Sequence, residues 1–362
     1  MCMICNVCCW EGNNIMTAAQ TAESETPLQP TAEDTEFFDH RFRFTERGNP
    51  VVEMVYSIAQ QWSLENGYTK PPAGSETVAP EVGPIDPLDI VQLEVRLPPL
   101  PAVMLELQDV LQRRNFSADQ VAAVIAKDPG LTAWLLKLVN SPYYGFSAKV
   151  STISRAVALV GTRQIQTLAI GGALNSLAVL LPKGLLNMEL FWRHSVAVGV
   201  VSQEIWKLAG RKDGEQLFVS GILHDCGQLA LAYAAPHVMA ALNKTYAYNA
   251  SPNYVMEKAL IDFDHARLGG MLLHRWNMPL PLVIAVLRHH QVEEPSRYPE
   301  AAVVHIADIL VTALGITTRP MPPVPPLSLE AWNVLGIAPK ALAEASATLK
   351  NKLDDICSAL KA

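Results

Sequence analysis

The sequence LFVSGILHDCGQLALAY, residues Leu217–Tyr233, is an apolar run with helical spacing that carries an adjacent histidine and aspartate in its middle. A carboxylate such as that of Asp225 is costly inside an apolar helix unless a metal, a hydrogen-bond donor or another charge pairs with it. The run therefore predicts a buried helix with a paired polar group at its centre. Whether that group belongs to a metal centre depends on the histidines and aspartates elsewhere in the chain.

The composition favours a large folded core and argues against nucleic acid as a partner. The chain has 362 residues, enough for two or three domains, and 50% of them are hydrophobic while 17% are charged. The formal net charge is −7 and the pI is near 5.7, whereas binding to phosphates needs a basic face. No cluster of Lys and Arg is large enough to predict a local basic patch.

The sequence predicts neither a transmembrane helix nor a secretory signal. No run of about 18 uninterrupted apolar residues occurs, which is the length that a membrane span requires. The N-terminus has no basic region followed by an apolar core, as a secretory signal would have. These patterns predict a cytoplasmic protein.

The first ten residues hold four of the six cysteines, namely Cys2, Cys5, Cys8 and Cys9. Their spacing is compatible with a thiolate metal site, but no second ligand pair follows at zinc-finger spacing. A disordered leader is the favoured interpretation, because the stretch after Met16 is typical of an ordinary protein start. Cys226 and Cys357 are isolated and are expected to be reduced structural thiols.

The chain divides into four predicted segments. Residues 1–36 are expected to form a disordered leader, because residues 18–36 contain almost nothing large and apolar. Residues 37–90 form an N-terminal extension that ends in a proline-rich linker. Residues 91–315 form the main helical domain, and residues 316–362 form a proline-rich connector followed by C-terminal helices.

Three patterns define the extension. The aromatic and basic cluster FFDHRFRF, residues 37–44, predicts a strand or a helix end packed on the main domain, with a docking segment as the alternative. Val51–Leu64 has apolar residues at helical spacing. Lys70–Pro87 is rich in proline and predicts a linker. The sequence assigns no role to the extension as a whole.

From Leu93 onward the pattern is helical throughout. Ser117 is expected to cap a helix in a Ser-x-x-Gln pattern, Asp128-Pro129 to stop one helix and start the next, and Gly161 to separate two more. Besides residues 97–112, the predicted helices are Ala118–Lys127, Leu131–Asn140, Ile153–Val160, Thr162–Leu181, Leu190–Leu208, Leu217–Tyr233, His237–Leu242, Tyr254–Ile261, Ala266–Trp276, Leu282–His290, Ala301–Leu314 and Leu329–Leu360.

Specific residues accompany this helical pattern from LPPLP through KDPGLTAWLLKLVNSPYYG to ISRAVALVGTRQIQTLAI and beyond. They are Leu97, Pro98, Pro101, Asp128, Pro129, Leu135, Asn140, Ser141, Leu159, Gly161, His194, His224, Asp225, Asp264, His265, Trp276, Pro279, His289 and His290. On these residues the chain resembles the HDOD family (HD-related output domains) from about Leu93 to Leu310. The resemblance implies an all-α fold in which an N-terminal helical subdomain packs on an HD-type helical core.

The resemblance also implies a set of metal ligands. In the order of the HD superfamily, the candidates are His194, His224, Asp225, His265, His289 or His290, and Asp308. Imidazole and carboxylate together suit Fe, Mn or Zn rather than calcium. A helical bundle can collect these groups because each lies on a separate helix and can face a common axis. His40, His237 and His274 are expected to be hydrogen-bonded core residues rather than ligands.

Two departures from the HD-GYP phosphodiesterases, the nearest catalytic relatives that the resemblance suggests, argue against catalysis. Gln228 stands where those enzymes carry Lys, and an amide does not replace a charge directed at phosphate. Their Gly-Tyr-Pro signature is absent after His290, and Arg297-Tyr298-Pro299 stands near its place. A retained metal would then have a structural role and tie several helices together.

The function that the resemblance implies is a non-catalytic bacterial-type regulatory output module that binds partner proteins or a small-molecule signal. Two-component or cyclic-di-GMP signalling proteins are the expected partners. They would act in trans, because no receiver, GGDEF-like or kinase segment is visible in the chain. The alternative is a metal-dependent phosphohydrolase for a nucleotide or cyclic dinucleotide, in which two metals bridged by Asp225 activate water. Binding to nucleic acid is a third class, which the net charge disfavours.

Overall fold

The computed structural model describes most of the chain between residues 29 and 353. The described residues are 29–68, 102–113, 116–141, 144–162, 164–165, 168–169, 171–172, 181–212, 214–246, 251–345, 349 and 351–353. The N-terminal cysteines, Met16, the predicted linker Lys70–Pro87 and Cys357 lie outside these residues, so the predictions made there stay predictions. Every regular element within the described residues is a helix, which confirms the all-α fold class.

The helices follow one another closely along the chain. They are α1 (Ala32–Arg41), α2 (Pro50–Asn66), α3 (Ala102–Gln112), α4 (Ala118–Ile125), α5 (Pro129–Val139), α6 (Ile153–Val160), α7 (Met188–Leu208), α8 (Glu215–Leu223), α9 (Cys226–Ala234), α10 (Pro236–Tyr246), α11 (Asn253–Ile261), α12 (His265–Arg275), α13 (Leu280–Arg288), α14 (Pro299–Ala313) and α15 (Leu329–Leu335). Residues 339–345 are also helical. No helix in these described ranges is long and apolar enough to cross a membrane.

Several predicted helix ends are confirmed by their capping contacts. The Ser117 hydroxyl accepts from the amide of Gln120, and the Gln120 side chain accepts from the amide of Ser117, so both halves of the capping box form at α4. The Asp128 carboxylate accepts from the amide of Leu131 and starts α5. Gly161 ends α6 with a φ of 94°, a conformation that glycine adopts without strain.

The N-terminal extension is part of the main core. Helix α1 begins at Ala32, so residues 32–36 are helical and the predicted leader ends earlier than residue 36. Thr31 caps this helix with Asp34, and its last turn carries Phe38 into the core together with the following Phe42. The helix-end interpretation of residues 37–44 is therefore the one that the structure bears out. Helix α2 packs against α14.

The prediction of a single helix over Leu217–Tyr233 is wrong in one respect, because this stretch forms two helices. Helix α8 ends at Leu223 and α9 starts at Cys226, with His224 and Asp225 in the turn between them. The Nδ1 atom of His224 lies 2.7 Å from the carbonyl oxygen of Gly221, the oxygen that a continuous helix would use for the amide of residue 225. The two polar side chains thus occupy a helix junction rather than a helix middle.

Four glycines let the helices that carry this junction approach their neighbours closely. A Cβ atom on Gly221 would lie 2.5 Å from the Cα atom of Gly199 in α7, so these two backbones are in contact. A Cβ atom on Gly227 would lie 1.9 Å from the carbonyl oxygen of His265, and Gly269 packs against the same part of α9. Backbone contact of this kind requires glycine, and it brings the junction next to α7 and α12.

We expect Gly227→Ala to destabilise the protein by at least about 2 kcal/mol, in the upper part of the range for overpacked cores. The added methyl group would meet the backbone of His265, which cannot move without shifting α12. Urea denaturation followed by circular dichroism measures the loss. Gln61→Ala on the exposed face of α2 is the control and should change the stability by less than about 0.5 kcal/mol. Equal stabilities of the two variants would contradict the close contact.

Candidate metal centre

The candidate ligands of the sequence converge in one place, which we call the histidine–aspartate cluster. It consists of His194 in α7, His224 and Asp225 between α8 and α9, His265 at the start of α12, His289 and His290 after α13, and Asp308 in α14. All of these residues are buried except His290, which is half-buried. Five segments of the chain therefore contribute to a single polar site inside an apolar core.

Asp225 lies at the centre of the cluster. Its Oδ1 atom is 2.9 Å from Nε2 of His265 and 3.5 Å from Nε2 of His224, and its Oδ2 atom is 3.7 Å from Nε2 of His194. One carboxylate thus faces three imidazoles from three different segments. This contact is the pairing that a buried carboxylate in an apolar environment requires.

Asp308 is the second carboxylate of the cluster. Its Oδ1 atom lies 3.3 Å from Nε2 of His194 and 3.9 Å from Nε2 of His224. The hydroxyl of Thr312, one turn later in α14, donates to the same oxygen at 3.3 Å. His194 and His224 therefore each face both carboxylates of the cluster.

The third part of the cluster consists of imidazoles. The Nε2 atoms of His265 and His290 are 2.9 Å apart, and the ring of His289 packs against both. Tyr254 stacks on His290 with ring centroids 4.4 Å apart and covers it from the α11 side. Both members of the His289-His290 pair therefore lie at the site, whereas the sequence left open which of the two belongs there.

Backbone carbonyls orient three of the imidazoles. The Nδ1 atoms of His194, His224 and His289 each lie 2.7 Å from a carbonyl oxygen, those of Ile316, Gly221 and Val286 respectively. A carbonyl oxygen only accepts, so each Nδ1 must carry the proton. In the neutral ring Nε2 then presents a lone pair to the centre of the cluster. The buried Nε2 atoms of His224 and His289 have no hydrogen-bond partner in the protein.

His265 differs from these three because its Nδ1 atom contacts a carboxylate. Glu257 in α11 is 1% exposed and places its two carboxylate oxygens 2.7 and 2.9 Å from Nδ1 of His265. It also accepts from the backbone amide of His265 at 2.7 Å. Glu257 is not among the predicted site residues, because its only signal in the sequence is a lone acid eight residues before a predicted ligand. A carboxylate on the outer nitrogen makes an imidazole a stronger ligand.

Tyr246 at the end of α10 supports Glu257. Its hydroxyl donates to Oε1 of Glu257, and its backbone carbonyl accepts from the guanidinium of Arg319 at 2.6 Å. The Arg319 guanidinium also lies over the Tyr246 ring. The charge of Glu257 is therefore held by a hydroxyl, an amide and an imidazole, all of them buried.

The pKa values of the two central carboxylates reflect the imidazoles around them. Burial alone would raise the pKa of Asp225, but the charges of His224, His265 and His194 hold it well below its ordinary value. Burial likewise would raise the pKa of Asp308, and its contact with His194 and the charge of His224 lower it to about 2. Both groups are therefore carboxylates at neutral pH.

The imidazoles fall into two classes. Burial would lower the pKa of His265, but Glu257 and Asp225 raise it well above its ordinary value. The pKa of His194 is also raised, because Asp308 and Asp225 outweigh burial. Burial lowers the pKa of His224, and burial together with the neighbouring imidazoles lowers that of His289 to about 3 and that of His290 well below the ordinary value.

The donor atoms fit a divalent metal ion. Three groups bring their ligand atoms within 4.8 Å of one another, namely His265 with His289 and His290, His194 with His224 and Asp225, and His224 with His289 and Asp308. Imidazole and carboxylate donors suit Fe, Mn or Zn. The two buried Nε2 atoms without partners are the observation that supports the fit, because unpaired buried lone pairs are rare without a ligand.

A small pocket opens above the cluster. Its volume is about 50 Å³, and its walls include His194, Asp225, Gln228, Tyr254, His265, His290, Asp308, Thr312, Thr317, Thr318, Pro322, Pro323 and Pro325. Gln228, which stands at the position of the HD-GYP lysine, is buried here. The predicted proline-rich connector is therefore not a free linker where the structure describes it, because it forms one wall of this pocket.

The other histidines and the Tyr-Pro pair lie outside the cluster. His40, His237 and His274 are exposed, so the prediction that they are core residues is wrong. His305 is buried, but its Nδ1 atom faces the carbonyl oxygen of His289 and its Nε2 atom accepts from the amide of Ser328. Both of its nitrogens are thus used by the backbone. Tyr298 and Pro299 start α14.

Glu257→Gln is expected to weaken binding of Mn²⁺ or Zn²⁺ by about 10- to 100-fold, the usual effect of changing a partner of a metal-bound histidine. The amide keeps the size of the side chain but removes the charge that polarises His265. Isothermal titration calorimetry on metal-stripped protein measures the affinity. Glu293→Gln removes an exposed carboxylate, whose side chain is 74% accessible, and should leave the affinity unchanged.

The stability of the metal-free protein should be highest near pH 6.5, the ordinary pKa of histidine. As the pH falls below 6.5, the unfolded chain takes up protons that buried His289 does not take up until about pH 3, so stability decreases. His224 and His290 act in the same direction. As the pH rises above 6.5, the stability that protonated His265 contributes is lost through its raised pKa. Asp308 loses its contribution only as the pH falls towards 2.

Urea midpoints at about pH 5, 6.5 and 9 test this dependence by circular dichroism. The midpoint should be lower at pH 5 and at pH 9 than at pH 6.5. A midpoint that increases steadily as the pH falls from 6.5 to 5 would contradict the neutral state of the buried imidazoles.

Comparisons with known proteins place this geometry in a family. The HDOD domain profile matches residues 97–292, more than half of the chain. A curated protein of Treponema pallidum (strain Nichols) is 28% identical over 225 residues, which are 60% of this chain and 42% of that protein. The chain thus spans about two fifths of the length of this relative.

Two solved structures share the fold. An HDOD domain protein of Geobacter sulfurreducens has a TM-score of 0.59 and 20% identity, covering 84% of this chain and 98% of its own. A Shewanella amazonensis SB2B protein, provisionally described as a phosphohydrolase, has a TM-score of 0.56 and 24% identity, covering 75% and 97%. At these identities the likeness concerns the fold alone. The profile match over residues 97–292 shows that the chain belongs to the HDOD domain family.

Proposed function

We propose that this protein is a regulatory signal-transduction module in which the histidine–aspartate cluster holds a divalent metal for structural purposes and does not hydrolyse phosphoesters. The observation that carries this proposal is the size of the pocket above the cluster. With a volume of about 50 Å³, it is far smaller than the roughly 300–1,000 Å³ of pockets that bind organic ligands. It has room for on the order of four water molecules.

The charges around the pocket also disfavour a phosphate substrate. Asp225 and Asp308 are both ionised at neutral pH, as their lowered pKa values require. None of the lining residues is Lys or Arg, and Gln228 supplies only a neutral amide. The raised pKa values of His194 and His265 favour imidazolium at these two lining residues, but both already face the carboxylates of Asp225 and Asp308, so no Lys or Arg of the lining is left to orient a phosphate group.

A structural metal explains why the ligand-type residues are present together. The residues that would hold it are those of the histidine–aspartate cluster, namely His194, His224, Asp225, His265, His289, His290 and Asp308. When bound, the ion would supply positive charge that pairs with the two buried carboxylates and with the free imidazole lone pairs. The segments around the cluster would then be tied to one another, and the N-terminal subdomain would pack on a rigid core.

Partner binding is the regulatory activity that follows from this proposal. We propose signalling proteins of two-component or cyclic-di-GMP pathways in the cytoplasm as partners acting in trans. The net charge of −7 argues against nucleic acid. A pull-down with the intact chain and with residues 91–362 tests these partners, provided that circular dichroism shows the shortened chain to be folded, because the extension contributes Phe38 and Phe42 to the core.

Metal analysis combined with a turnover assay tests the proposed function. Protein purified without chelator should contain Fe, Mn or Zn, and it should not hydrolyse nucleotides or cyclic dinucleotides when Mn²⁺ or Fe²⁺ is added. Asp225→Ala should lose the metal and lower the melting temperature, because several imidazoles lose their shared partner. Less than a trace of metal in the purified protein would refute the structural role.

A metal-dependent phosphohydrolase remains the second candidate, and one observation favours it. Asp225 presents one oxygen to His265 and the other to His194, so a single carboxylate reaches both sides of the cluster. An arrangement of this kind is suited to two metal ions that activate water. Turnover that Asp225→Ala abolishes, with the helical circular dichroism spectrum intact, would establish this alternative and refute the non-catalytic role.

A further inference from the structure

The pocket above the cluster owes its small size to residues 315–328, which we call the strap. The strap runs from the end of α14 to the start of α15 and lines the pocket with Thr317, Thr318, Pro322, Pro323 and Pro325. All of these residues lie outside the stretch matched by the family profile, which ends at residue 292. The cover therefore lies outside the matched sequence.

Both ends of the strap are tied to the cluster. At the start, the carbonyl oxygen of Ile316 lies 2.7 Å from Nδ1 of His194. At the end, the amide of Ser328 donates to Nε2 of His305 at 3.0 Å, and Nδ1 of His305 faces the carbonyl oxygen of His289. The first contact thus runs directly to the candidate ligand His194, and the second reaches the backbone of His289 through His305.

The middle of the strap has few backbone amides that can donate hydrogen bonds. Five of the seven residues 320–326 are prolines, which have no amide hydrogen. Val324 supplies an amide, and it donates to the carbonyl oxygen of Arg41 at 2.8 Å. The carbonyl oxygen of Pro322 accepts from Nε of Arg41 at 3.2 Å. One residue of the N-terminal extension therefore makes both contacts.

Arg41 also donates hydrogen bonds to the helix that carries Asp308. Its Nη1 and Nη2 atoms donate to the carbonyl oxygens of Ala313 and Thr312, at 2.9 and 2.7 Å. These are the last carbonyls of α14, where the helix dipole places negative partial charge. Arg41 is only 2% exposed, and burial lowers its pKa to about 10, so it stays charged at neutral pH. A buried charge with these partners is fixed to one position.

We infer that Arg41 is a clamp through which the N-terminal extension holds the strap over the histidine–aspartate cluster, so that displacement of α1 opens the pocket. The inference is independent of metal binding and of catalysis, because it rests on contacts within the protein. Phe38 and Phe42 anchor the same turn of α1 in the core, so a partner that removes this turn from the core would also remove the clamp. The extension, to which the sequence assigned no role, then has one.

Chemical modification of His290 tests the clamp in the full-length protein. This half-buried imidazole lines the pocket, and diethyl pyrocarbonate modifies accessible neutral imidazoles. Arg41→Met keeps the apolar stem of the side chain but removes its hydrogen-bond donors. In this variant His290 should react with the reagent at least tenfold faster than in the protein without the substitution. Peptide mass spectrometry gives the rate, and the exposed His237 and His274 in the same sample serve as internal references.

Arg47→Met is the matched control. Arg47 also belongs to the extension and pairs with Asp39 and Glu53, which are extension residues as well. Its removal should leave the rate at His290 unchanged. Hydrogen exchange at the amide of Val324 should accelerate in Arg41→Met and not in Arg47→Met, because that amide donates to the backbone of residue 41.

A folded Arg41→Met protein with the His290 rate of the unmodified sequence would overturn the inference. If circular dichroism shows that Arg41→Met does not fold, the reaction rate of His290 in Arg41→Lys tests the inference instead. Its single ammonium group cannot reach all three carbonyl oxygens, so the rate at His290 should still increase several-fold. An unchanged rate in folded Arg41→Lys would then refute the clamp.

Discussion

The contact between the Asp225 carboxylate and three imidazoles is the constraint on which the rest of the structure depends. Asp225 sits 4% exposed among apolar side chains, and such a group is tolerated only where partners surround it. Those partners come from α7, the α8–α9 junction and α12, so the helices must meet at one point. Glycines at the crossings allow backbone contact there, and a side chain at Gly227 would have no room.

Much of this could be predicted from the sequence, because it depends on local patterns. Apolar spacing predicts the helices, Ser117 and Asp128 predict their starts, and the resemblance to the HDOD family implies which His and Asp residues meet. The break at His224 could not be predicted, because apolar periodicity continues across it and the contact of the His224 ring with the carbonyl oxygen of Gly221 has no signal in the sequence. The role of Glu257 could not be predicted for a related reason. A lone acid in a helix has no pattern that distinguishes an exposed residue from a partner of His265.

The position of the strap could not be predicted for a different reason. A proline-rich stretch is typical of a linker, and its composition contains no information about the surface on which it lies. The contact of Arg41 with Pro322 joins residues 281 positions apart, and the sequence around neither residue indicates that the two meet. Arginine is also a residue usually found at the surface, so its burial at the end of α14 depends on the tertiary arrangement of carbonyl oxygens alone.

The five prolines of the strap have a consequence for how reversibly the cover could detach. Peeling off a β-strand or a helix breaks a ladder of amide hydrogen bonds and releases a chain with much conformational freedom. Proline offers no amide to leave unpaired, and its restricted φ angle limits the disorder gained on release. A segment of this kind is stiff, and the contacts that its release would break include those of Ile316, Arg319, Val324 and Ser328 and the burial of its apolar side chains. It could lift and reseat without unfolding the helices beneath it, which would suit a cover that responds to a signal.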